Sequence, residues 1–78
     1  MEGWININWE PKKEGPYLVK ATMPSPKIEG KVITRYFIKR WNIYKCKAGH
    51  YQGYFSRGDT RSVEFIAWMP IPGHNYNK

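Results

Sequence analysis

The sequence predicts a mainly β fold: a small single-domain meander of about five strands, mostly antiparallel, either a partly closed barrel or a sheet covered by loops. Two observations carry this. β-Branched and aromatic residues gather in short runs, and those runs are separated by proline and glycine at 11–15, 24–30 and 70–73. Aromatic residues also make up 17% of the 78-residue chain, so rings can supply the core area that so short a chain otherwise lacks.

The elements follow in order. "WININW" at 4–9 alternates Ile5, Ile7 and Trp9 with Trp4, Asn6 and Asn8, the pattern of a half-buried strand. "EPKKEG" then turns on Pro11 and Gly15. "PYLVKATM" is rich in β-formers and predicts a strand over 17–23, stopped by Pro24 and Pro26.

"KVITRYFIKRWNIYKCK" predicts a long third strand. One face presents Ile33, Arg35, Phe37, Lys39, Trp41, Ile43 and Lys45; the other presents Val32, Thr34, Tyr36, Ile38, Arg40, Asn42, Tyr44 and Cys46. The alternative is a short helix within 33–47, with Ile33, Phe37, Trp41 and Tyr44 as its stripe. The density of β-branched and aromatic residues, with no preceding cap and no alanine, favours the strand. Its length predicts a break or bulge near Asn42.

"AGHYQGYFSRGDTRS" reads as turn, short strand and turn, with Tyr51, Tyr54 and Phe55 as the rings and Gly58 and Asp59 as turn residues. "VEFIAWM" predicts the last strand, Val63, Phe65, Ala67 and Met69 alternating with Glu64, Ile66 and Trp68. Pro70 and Pro72 have no N–H for a ladder, so the sheet ends there and the tail reads as irregular. Trp4, Trp9 and Trp68 are expected to pack together as core.

Composition bounds the setting. Cys46 is the lone cysteine, which excludes an internal disulfide and suits a reducing cytosol. No run approaches the roughly 20 apolar residues of a membrane span, and residues 1–10 have neither the basic head nor the apolar run of a signal peptide. The expected location is cytoplasmic, the host cytosol, with no membrane partner. So small a core also suits a homo-oligomer.

Four pieces form a recognisable layout: Trp4–Ile5, "EGPYLV" at 14–19, Trp41, and the tail Trp68, Met69, Pro70, Ile71, Pro72. It resembles a family of short phage- and prophage-encoded proteins of unknown function. Their members open on Trp-Ile, pass a Pro…Gly turn into an apolar strand, and finish in a Trp-Met-Pro-Leu-Pro-like tail. The resemblance implies a phage or prophage origin and a small β-rich fold, and no particular activity. Relatives often carry a polar residue or histidine just before the tail tryptophan, where this chain has Ala67.

The net charge of +7 is localised. Residues 1–30 and 62–78 are each neutral, while 31–61 carry eight basic side chains against Asp59. Such a field attracts polyanions or acidic protein surfaces. The candidate residues for phosphate or an acidic partner are Arg35, Lys39, Arg40, Lys45, Lys47, Arg57 and Arg61. The candidate stacking residues are Phe37, Trp41 and Tyr44. The competing expectation is that the rings are core and the lysines guard strand edges.

No catalytic constellation, phosphate-cradling glycine loop or paired carboxylates are legible, so a non-enzyme without cofactor is expected. Cys46, His50 and His74 do not make metal-ligand spacing, and "RGD" at 57–59 reads as a turn. The expected function is binding of nucleic acid, or of a host nucleic-acid-associated machine, as an anti-defence or host-takeover inhibitor. The alternatives are an oligomeric sponge for a phosphorylated nucleotide signal and a module that occludes an acidic host protein surface.

Overall fold

The computed structural model describes residues 3–58 and 62–76. Five antiparallel strands form one curled half-barrel, and no described residue is helical. They are β1 (Ile5–Asn6), β2 (Gly15–Pro24), β3 (Val32–Lys45), β4 (Tyr51–Phe55) and β5 (Glu64–Pro70), in the sheet order β1-β5-β2-β3-β4. The central β2-β3-β4 run is a meander. β5 then returns to the other side of β2, and β1 is added outside it.

Two strand expectations are corrected. The first strand is only two residues long. The Asn6 side chain accepts from the Asn8 N–H at 2.8 Å and the Asn6 carbonyl accepts from Trp9 N–H at 2.9 Å, so the chain turns at once. The expected long third strand is present through Lys45, and the helical alternative for 33–47 is set aside.

The second correction is that β3 does not break near Asn42. It changes partners instead. Val32 to Trp41 pair with β2, and Trp41 to Lys45 pair with β4. Where β2 ends, the Glu14 carboxylate accepts from the Ile43 N–H at 2.7 Å and occupies the edge that β2 has left.

Opposed residues in an antiparallel pair share a face. The inner face therefore holds Tyr17, Val19 and Ala21 of β2, Phe37 and Trp41 of β3, and Phe55 of β4. β5 adds Phe65 and Trp68, which face Ala21 and Val19. Simple alternation along β5 separates these two side chains. A register shift reunites them, because Lys20 faces Ala67 and Ala21 faces Phe65, leaving Ile66 as the extra residue of a bulge. Ile66 keeps a role there, its carbonyl accepting from Ile7 N–H at 3.1 Å.

The core is built mostly of rings. Tyr17, Trp41, Phe55, Phe65 and Trp68 are buried together with Val19, Ala21 and Val63. Among the described residues no second sheet or helix covers this face, so loops and the tail do so. From the β1–β2 loop, the Trp9 carbonyl accepts the Trp68 indole N–H at 2.6 Å and the Lys13 carbonyl accepts the Tyr17 hydroxyl at 2.8 Å. From the tail, Tyr76 stacks on Tyr17 at 4.6 Å. Its hydroxyl donates to the Pro16 carbonyl and accepts from Ile71 N–H. Gly15 permits this approach: its φ is +143°, and a side chain there would press on the Tyr76 ring.

The expected three-tryptophan core is likewise corrected. Trp68 is buried, but the Trp9 ring is 71% exposed and contributes its carbonyl. Trp4 lies on the outer face against Tyr36.

Two stability predictions follow from the core. A Cβ at Gly53 would overlap the indole of Trp41. Gly53→Ala is expected to cost about 1–3 kcal/mol through overpacking, read as a lower urea midpoint at unchanged slope. Tyr17 titrates above the ordinary tyrosine range because burial disfavours the phenolate and the neighbouring Tyr76 adds to the effect. Above about pH 10 the unfolded chain therefore releases this proton before the folded one does. Stability is complete below that pH and falls as pH rises through the folded value. Tyr17→Phe is expected to lose about 1 kcal/mol at neutral pH, with the alkaline decline shallower than in the parent. Chemical denaturation between pH 7 and 11 measures both.

Candidate nucleic-acid interface

The basic side chains of the middle segment divide among three places. Arg35 and Lys39 are on the inner-face register of β3, opposite Ala21 and Tyr17. The Lys39 ammonium donates to the Arg57 carbonyl at 3.2 Å and lies 5.2 Å from the centre of the Phe37 ring. Arg57 stacks its guanidinium 4.2 Å over Phe65 and donates to the Val63 carbonyl at 2.8 Å. Lys39 and Arg57 thus serve the rim of the core, while Arg35 is exposed.

Lys45 ends β3 opposite Tyr51, and Lys47 lies in the following turn. The strand rise of about 3.3 Å puts Lys45 about 33 Å along β3 from Arg35. Arg40 is on the opposite, outer face. Arg61 falls outside the described residues, as does Asp59 of the "RGD" triplet.

The stacking expectation divides in the same way. Trp41 is 5% exposed, its ring edge-on to Phe55 at 4.7 Å, so it is core and not a platform for bases. Phe37 is half-buried, packed against the same core under Lys39. Tyr44 alone of the three stands in solvent, 47% exposed, with its hydroxyl donating to Gln52 Oε1 at 2.8 Å.

The outer face carries more rings than the sequence reading assigned to it. Tyr54 is 52% exposed and meets Tyr44 edge-on at 5.9 Å. Tyr36 is 62% exposed and meets Trp4 at 5.8 Å, while the Lys20 ammonium lies 5.9 Å from the Trp4 ring. Two aromatic pairs thus stand about 26 Å apart along β3, eight residues at the usual rise. Ile38 and Arg40 are exposed between them. Tyr36 was visible in the sequence beside Arg40 and Tyr44. Tyr54 and Trp4 reach this face only through pairing with distant strands.

A cleft on the other side, lined by Glu10, Pro11, Trp41, Ile43, Tyr51, Gln52 and Gly53, includes an acid and no cation. That lining suits phosphate poorly. Comparison with family models, curated proteins and solved structures returns no match. What the fold and the outer face define is a small β-sheet module with exposed aromatic pairs and cations on one open surface.

Proposed function

We propose that the protein is a non-enzymatic binding module that holds single-stranded nucleic acid across the outer face of its sheet. The observation that carries this is the exposure of Tyr36, Tyr44 and Tyr54 on one sheet surface with Arg40 among them. Exposed rings on a sheet offer their π-faces to unpaired bases, which a duplex keeps stacked within itself. Arg40 and Lys20 supply phosphate contacts, and the net charge of +7 draws a polyanion to the surface. The assigned roles are stacking for Tyr36, Tyr44, Tyr54 and Trp4, and phosphate contact for Arg40 and Lys20. In the phage or prophage setting implied by the tail, such a module would engage host nucleic acid or a machine bound to it.

Fluorescence anisotropy with labelled oligo-dT and oligo-U, over a salt series, tests the reading. Tyr44→Ala and Tyr54→Ala are each expected to weaken binding by about 5- to 150-fold, the equivalent of about 1–3 kcal/mol per stacked base. Arg40→Ala is expected to reduce the slope of log affinity against log salt by about 0.7, one phosphate contact on a single strand. Absence of binding at low salt, or tyrosine variants that bind like the parent, would refute the proposal.

A further inference from the structure

The two buried tryptophans differ in one respect. The Trp68 indole N–H is taken by the Trp9 carbonyl, but among the described residues the Trp41 indole N–H has no hydrogen-bond partner, although the side chain is only 5% exposed. Among the described residues no sealed side-chain polar atom lacks a partner, so this N–H still meets solvent. The opening that Trp41 lines is the cleft it shares with Glu10, Pro11, Ile43, Tyr51, Gln52 and Gly53. Gly53 lies against the nitrogen edge of the indole, where a side chain would cover it.

The rest of the lining is equally uncommitted. The Glu10 carboxylate is exposed and has no ion pair or hydrogen bond among the described residues. The Tyr51 ring is 69% exposed and has no ring contact there either. The cleft thus offers one fixed donor, one carboxylate acceptor and a free ring, over walls of Pro11 and Ile43.

We infer that this cleft takes one unpaired guanine base. A cation such as an arginine or ammonium group satisfies Glu10 but brings no acceptor for the indole N–H. An anion does the reverse. Guanine brings both along one edge: its N1–H and N2–H donate side by side to a carboxylate, and O6 beside them accepts from the indole. Adenine and cytosine offer the carboxylate only their amino group, and uracil only N3–H. The cleft holds about 120 Å³, below the roughly 300 Å³ at which pockets for whole small molecules begin, so sugar and phosphate stay outside. Lys45 stands there, exposed and directly opposite Tyr51 on the same face. The inference deepens the single-strand reading and rests on it for the source of the base: β4 is an edge strand, over which a chain leaving Tyr44 and Tyr54 can turn into the cleft.

Titration of the labelled protein with nucleoside 5′-monophosphates, followed by nitrogen–proton correlation spectra, is the test. The chain has four tryptophans, and the Trp41 indole signal is identified by its Overhauser contact with Gly53. Guanosine monophosphate is expected to move that signal to saturation. Inosine monophosphate lacks the 2-amino donor and is expected to bind about tenfold or more weakly, as are the adenosine, cytidine and uridine monophosphates. Glu10→Gln is expected to weaken guanosine monophosphate by about tenfold or more and to leave the other indole signals in place, since Glu10 holds nothing in the fold. A Trp41 indole signal that no nucleotide moves overturns the inference. So does equal binding of the guanosine and inosine or adenosine forms, or a Glu10→Gln variant that binds like the parent. Oligo-dT and oligo-U contain no guanine, so the outer-face measurement stands or falls separately.

Discussion

The fold depends on the packing of rings around Tyr17. This side chain, the third residue of β2, is 4% exposed, edge-on to Trp68 at 5.1 Å and to Phe55 at 6.2 Å, and stacked under Tyr76. It thereby touches β5 on one side, β4 on the other and the tail that closes over it. A curled sheet with no opposing layer must otherwise leave its inner face wet. Rings solve this because each buries a large area from one backbone position, and edge-to-face contacts add to that burial. The Tyr17 hydroxyl is satisfied by the Lys13 carbonyl and the Trp68 indole by the Trp9 carbonyl. The core therefore recruits the β1–β2 loop as part of its own covering.

This way of building a core assigns the two faces of β3. Trp41 needs a space the size of an indole, and Gly53 on β4 provides it. Once Trp41 is inside, strict alternation turns Phe37, Lys39 and Arg35 toward the same side, and Tyr36, Ile38, Arg40 and Tyr44 toward solvent. Lys39 and Arg57 are then spent on ring faces and backbone carbonyls at the rim. A cluster of cations in the sequence thus becomes several separate placements, and the surface with the most exposed rings is not the one with the most cations.

The strands were legible because proline and glycine punctuate them and because β-formers fill the intervals, as at Tyr17, Val19 and Ala21. The exposed face was not. Both faces of β3 carry three or more apolar residues, so alternation defines two sides without saying which is inside. That depends on Gly53, which lies in another strand. The bulge at Ile66 carries no composition signal, and it alone brings Phe65 and Trp68 to one face. The early end of β1 was readable in principle, since Asn6 and Asn8 can turn on their own backbone. Alternation of Ile5, Ile7 and Trp9 outweighed that signal.

The tyrosines of the outer face bear on why the sheet keeps one surface bare. Tyr36, Tyr44 and Tyr54 each present an apolar ring to water with a hydroxyl that water can solvate, which limits the cost of exposure relative to phenylalanine. The inner face, in contrast, takes both phenylalanines of β4 and β5. This sorting separates a surface that must stay dry from one that can be wetted and then covered. The Tyr36 end of that surface coincides with the open edge of β3, whereas the Tyr44 end is closed by β4.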